Sequence, residues 1–131
     1  MTGIDSSVLV RYFVRDHPVE APAAAKFIHG LSPLNPGWLA IAALVETVWV
    51  LKKIYRVERA IIAGLIGALL SNNDLVLEQH EHVRQALQLY ALLNVDFGDC
   101  LISVAAKAAK CNSVVTFDKK AARRLGMELL Q

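Results

Sequence analysis

Along the chain, short apolar runs alternate with longer stretches in which apolar residues recur every third or fourth position. "TGID" has a short strand pattern and leads into the helical "SSVLVRYFV". Residues 18 to 30 open on Pro18 and close at Gly30, the start and stop signals of a helix. "GWLAI" predicts a strand, residues 42 to 55 a buried helix, residues 57 to 70 a second helix, and "DLVLE" another strand. A helix follows from about 80 to 93, and another starts near Phe97. "SVVTF" then predicts an apolar strand, "DKKAARRL" a short basic helix stopped by Gly126, and "MELL" a last strand. Strands alternating with helices imply an α/β fold with a central, mostly parallel sheet flanked by helices. No linker, repeat or low-complexity segment interrupts the 131 residues, so a single domain over 1–131 is expected.

Composition adds a constraint on partners. The chain is 55% hydrophobic with a mean hydropathy of +0.40, which excludes a disordered chain. Glu46 and Thr47 interrupt "WLAIAALVETVWVL", and "AIIAGLIGALL" is too short to cross a bilayer, so no membrane span is expected. Asp5 comes early and no basic n-region precedes it, which predicts a cytoplasmic protein without a signal peptide. Residues 42 to 70 carry more than one apolar stripe per helix, a surplus that predicts cover by a partner or by a second copy, a homodimer. Cys100 and Cys111 lack metal-ligand or CxxC spacing and read as structural thiols in a reducing compartment. His80 and His82 read as surface residues at a helix start. The net charge of +2 permits nucleic-acid binding without demanding it. Arg11 and Arg15, one helical turn apart, and the pairs Lys52/Lys53, Lys119/Lys120 and Arg123/Arg124 are solvated helix surface or contacts to a nucleic-acid backbone.

The acids are more informative. Functional groups of a parallel sheet gather beyond the carboxyl ends of its strands. Asp5 ends the first strand pattern, Asp118 follows "VVTF", and Asp96 and Asp99 open the helix before that strand. Glu46 sits inside an apolar helix, where a buried, unpaired carboxylate costs several kcal/mol or takes up a proton. Each has a structural reading: Asp96 and Asp118 as helix caps, Asp99 as a first-turn acid, Asp5 in an Asx-type turn, Glu46 paired with a cation. One site at the strand ends explains all of them together. Like charges about 4 Å apart repel by about 4 kcal/mol at an effective dielectric of 20, so such a cluster needs a bound cation. Oxygen ligands without His or Cys select Mg2+ or Mn2+.

At "GIDSSVLVRYFVRDHP", "ALVETVWVLKKIY", "ALQLYALLNVDFGDCLISVAAK" and "VVTFDKKAARRLGMELL", in this order and spacing, the sequence resembles the PIN-domain ribonucleases, specifically the VapC-like toxins of toxin-antitoxin pairs. The resemblance covers nearly the whole chain. It implies a PIN-like fold, a Mg2+-dependent endoribonuclease, and a VapB-like antitoxin as partner. Matched motif to motif, the family's four acids fall on Asp5, Glu46, Asp99 and Asp118, with Asp5 and Asp99 as metal ligands. Asp96, Ser7 and Thr116 are outer-shell candidates, and Arg11 and Arg15 are candidates for holding the RNA backbone. Where the family usually has Asn two residues after the first acid, this chain has Ser7. Two alternatives stay open. One is a PIN fold that binds without cutting. The other is a phosphotransfer domain, although a receiver-like site lacks its late lysine and an aspartyl phosphatase usually shows D-x-D where this chain reads "DSS".

Overall fold

A computed structural model describes residues 1–131 as two compact units, Met1–His80 and Glu81–Gln131. Every strand pairing in it is parallel, as the alternation of elements predicts, but the pairings form two sheets rather than one.

In the first unit, β1 (Thr2–Gly3), β2 (Gly37–Leu39) and β3 (Leu75–Leu77) form a sheet in that order. Its side chains alternate: Leu75 and Leu77 are buried while Val76 between them is exposed. Gly37 lies where the central strand is most crowded. A Cβ there would stand 2.6 Å from Ile4 Cδ1 and 2.9 Å from Leu75 Cδ2, so only glycine fits without displacing core side chains.

Four helices complete this unit: α1 (Ser6–Phe13), α2 (Glu20–His29), α3 (Ile41–Lys53) and α4 (Arg59–Ser71). The first three start close to expectation, but Pro18 does not open α2. The ring of His17 caps it instead, with Nδ1 accepting from the amides of Val19 (3.3 Å) and Glu20 (2.9 Å). In α3 the buried positions Leu44, Thr47, Val48 and Leu51 follow the i, i+3, i+4, i+7 spacing of one face. In α4, Ile62, Ile66 and Leu69 do the same. Three apolar residues on or just after these helices stay in water: Trp49 is 54%, Ile54 62% and Ile61 54% exposed.

The second unit holds α5 (His80–Leu92, from its second residue), α6 (Phe97–Ala108), β4 (Val115–Thr116), α7 (Lys119–Leu125) and β5 (Glu128–Leu129). Val83, Ala86 and Tyr90 of α5 are buried, as are Phe97, Cys100, Leu101 and Val104 of α6, and the rings of Tyr90 and Phe97 meet edge to face at 5.6 Å. β4 pairs with β5 in the register Val115 to Glu128 and Thr116 to Leu129. Gly126 closes α7 at φ 71°, a left-handed conformation that glycine adopts without strain. Two expectations fail here. "SVVTF" gives only a two-residue strand, with Val115 and Phe117 exposed, and Cys111 is exposed in the turn after α6, whereas Cys100 is a buried structural thiol. No helix is long and apolar enough to cross a membrane.

Candidate functional site

Asp5 leaves β1 and becomes the N-cap of α1 because its extended backbone (φ −77°, ψ 154°) turns the carboxylate back over the first helical amides. One oxygen takes both bonds: Asp5 Oδ2 accepts from the Ser7 hydroxyl at 2.6 Å and from the Ser7 amide at 3.2 Å. These two bonds hold the Asp5 carboxyl below its ordinary range, the hydroxyl contributing most. Ser7 therefore steadies the first acid with a charge-assisted bond, and the departure from Asn leaves that acid anchored.

Glu46 requires a correction. It is exposed rather than buried, because it shares the solvent face of α3 with Ala42 and Trp49 while Leu44, Thr47 and Val48 face inward. It lines a cavity of about 280 Å3 together with Ser6, Ser7, Arg11, Glu20 and Tyr55.

Arg11 has partners inside its own unit. Its Nε donates to Glu20 Oε1 at 2.8 Å, Nη1 to the Tyr55 hydroxyl at 3.3 Å, and Asp16 Oδ1 stands 3.8 Å away. The bond to Glu20 is the main reason its guanidinium is held above its ordinary range. Arg15 donates to the Tyr12 carbonyl at 3.1 Å, and its guanidinium sits 5.0 Å from the centroid of the Tyr12 ring. Glu20 and Tyr55 went unnoticed in the sequence. They lie nine and 44 residues from Arg11, and neither spacing carries a signal.

The second unit gathers three acids. Asp96 caps α6 through a long bond of 3.4 Å from the Asp99 amide, and Asp118 caps α7 with Oδ1 accepting from the Ala121 amide at 2.9 Å. Thr116 supports that cap, its hydroxyl oxygen accepting from the Asp118 amide at 3.0 Å. Asp99, half-buried in the first turn of α6, is different. Burial above all, then the negative charges of Asp96 and Asp118, push its carboxyl above the ordinary range.

Asp5 and Glu46 thus belong to the first unit, and Asp96, Asp99 and Asp118 to the second, where the last three interact electrostatically. Within neither unit do three or more His, Cys, Asp or Glu side chains form a ready group for a metal ion. The chemistry of the donors nevertheless fits a hard cation. All are carboxylate oxygens, and a positive ion beside Asp99 would reverse the repulsion that opposes its ionisation.

The chain matches the PIN domain family over residues 4–126. It is also 31% identical over 77 residues to a protein of Aquifex aeolicus (strain VF5) named VapC ribonuclease. That match covers 59% of this chain and 57% of the relative, a little over half the length of each.

Proposed function

The chain belongs to the PIN-domain family, and from that premise we propose that it is a metal-dependent endoribonuclease, the toxin of a VapBC-type pair. The observation that carries this reading is Asp99. A carboxyl pressed toward its neutral form by burial and by two flanking carboxylates is poorly placed as a structural element and well placed as a cation ligand. The similarity to the VapC ribonuclease supplies the substrate class.

In this reading Asp5 and Asp99 hold Mg2+, for which Mn2+ can substitute, and Glu46 and Asp118 complete the acidic set. When bound, the ion polarises the scissile phosphate and lowers the pKa of a coordinated water. The chain's own residues do the rest. Ser7 keeps the Asp5 carboxylate ionised and oriented. Thr116 orders the turn that carries Asp118. Glu46, exposed and without an ion pair, is available to accept a proton at its carboxylate. Asp96 is an outer-shell acid through its bond to the Asp99 amide. Arg11, held chiefly by Glu20, and Arg15, set over the Tyr12 ring, contact the RNA backbone.

The partners follow from the same reading: an RNA substrate, a VapB-like antitoxin, and a second copy of the chain over the exposed Trp49, Ile54 and Ile61. Incubating the chain with RNA, with Mg2+ or Mn2+ and then with chelator, tests the proposal. Cleavage that starts with the ion and stops with the chelator is expected. No cleavage with either ion, by a folded chain freed of antitoxin, refutes it.

A further inference from the structure

Phe117 is 79% exposed, whereas Phe97 of the same unit is 1% exposed. The backbone beneath it is fixed on both sides. Thr116 Oγ1 accepts the Asp118 amide at 3.0 Å, and Asp118 Oδ1 accepts the Ala121 amide at 2.9 Å. A ring carried on such a base loses little freedom when something covers it, since only its two side-chain torsions remain to be ordered.

Charge identifies the cover. The basic and acidic residues of Met1–His80 cancel, so the whole surplus of +2 falls in Glu81–Gln131. Four of its cations lie within seven residues after Phe117, beyond Asp118. Lys119 and Arg123, a helical turn apart on α7, lie opposite the buried Ala121, with Lys120 and Arg124 to one side of them. Arg124 is spent on the fold, its Nη1 donating to the Asn94 carbonyl at 2.9 Å, while Lys119, Lys120 and Arg123 are exposed and form no ion pair. The centre of a protein interface is depleted in lysine. An exposed aromatic ring beside free cations is instead the composition that binds single-stranded nucleic acid, the ring stacking a base and the cations following the backbone.

We propose that Phe117 is a base-stacking platform for single-stranded RNA, with Lys119, Lys120 and Arg123 holding the adjoining phosphates. The proposal rests on the ribonuclease reading and adds a positioning residue to it. Phe117 forms the bend between Thr116 and the acid Asp118, so the stacked base belongs to a nucleotide flanking the one at the acids.

The test compares Phe117→Ala and Phe117→Trp in the full chain. Affinity for fluorescein-labelled oligouridylate and oligoadenylate is read in chelator, where no cleavage occurs, and KM and kcat are read in Mg2+. Phe117→Ala should weaken binding by roughly 5- to 150-fold, the span of one base–aromatic stack, and raise KM with little change in kcat. Phe117→Trp should retain the affinity and show indole quenching beyond that of the wild type. Unchanged affinity and KM in Phe117→Ala, while the wild type cleaves RNA, overturns the platform and leaves the ribonuclease reading intact. Equal loss in both variants without extra quenching also overturns it. So does a shift in sedimentation with RNA affinity unchanged, which would assign the ring to a protein contact. A wild type that neither binds nor cleaves RNA overturns both proposals together.

Discussion

Replacing Asp99 by Asn removes a negative charge from a place where burial and the carboxylates of Asp96 and Asp118 already oppose it. Two effects on stability compete. Each unit by which a pKa is displaced corresponds to about 1.4 kcal/mol, and for a group partly in water, screening reduces the recoverable part to below about 1 kcal/mol. Against this, Asp99 sits in the first turn of α6, where a carboxylate gains about 0.3–1 kcal/mol from the helix dipole and Asn does not. The net change should stay within about 1 kcal/mol, or a few degrees in Tm. Its sign depends on pH. Because the Asp99 carboxyl is raised in the folded state, the fold holds its proton more tightly than the unfolded chain does. That contribution is complete below the ordinary value of 3.8 and disappears as pH climbs from there through the raised value. Asn lacks this dependence, so melts of the two proteins in chelator should shift in favour of Asn as pH rises through that window. RNA cleavage in Mg2+ should fall by at least about 100-fold through loss of a ligand charge. A difference in Tm that moves toward the wild type with rising pH refutes the electrostatics. Full cleavage by the folded variant refutes the ligand assignment.

Ser7→Ala should raise the Asp5 carboxyl, because the Ser7 hydroxyl is the main cause of its lowering; the stability that Asp5 contributes above 3.8 then disappears at a higher pH on acidification, as melts in acid and an NMR titration of Asp5 can read. Gly37→Ala should cost about 1–3 kcal/mol in a denaturant titration, since its methyl group would press on the side-chain ends of Ile4, Leu75 and Leu31, all buried. Asp96→Asn should reduce RNA cleavage only mildly, Asn being as good a cap as Asp, and a loss as deep as that of Asp99→Asn would place Asp96 among the ligands. Sedimentation at micromolar concentration should find a dimer that Trp49→Glu disrupts; a strictly monomeric wild type rejects the dimer.

The elements that were legible in the sequence are those whose causes are local. Asp5, Asp96 and Asp118 mark helix starts because the capping bond reaches only two or three residues along the chain. The strands "GWL" and "LVL" declare themselves as short apolar runs set off from the longer helical patterns around them. Features set by distant packing were not legible. The helix α3 is apolar on most sides, so its sequence does not say which face looks inward, and Glu46, which the apolar pattern buries, is exposed. The ring of His17, which replaces Pro18 as the start signal of α2, is not among the usual capping residues. The pairing of Arg11 with Glu20 and Tyr55 depends on how three helices and a loop fold together.

The sequence posed capping and metal binding as rival explanations of the acids, and the geometry removes the rivalry. A cap needs one carboxylate oxygen. Asp5 uses Oδ2 alone for both bonds from Ser7, Asp118 uses Oδ1 for Ala121, and Asp96 uses Oδ2 for Asp99. For Asp96 and Asp118 the second oxygen takes no such bond and keeps its lone pairs for a ligand. The capping bond also fixes the carboxylate relative to a helix, which is the support that a metal ligand requires from its surroundings. Unlike Asp5, Asp96 and Asp118, Asp99 makes no side-chain bond, and its carboxyl is pushed upward. No side chain of the fold bonds or pairs with Asp99 to offset the two neighbouring carboxylates, and among these acids it is the one for which a bound cation would change the most.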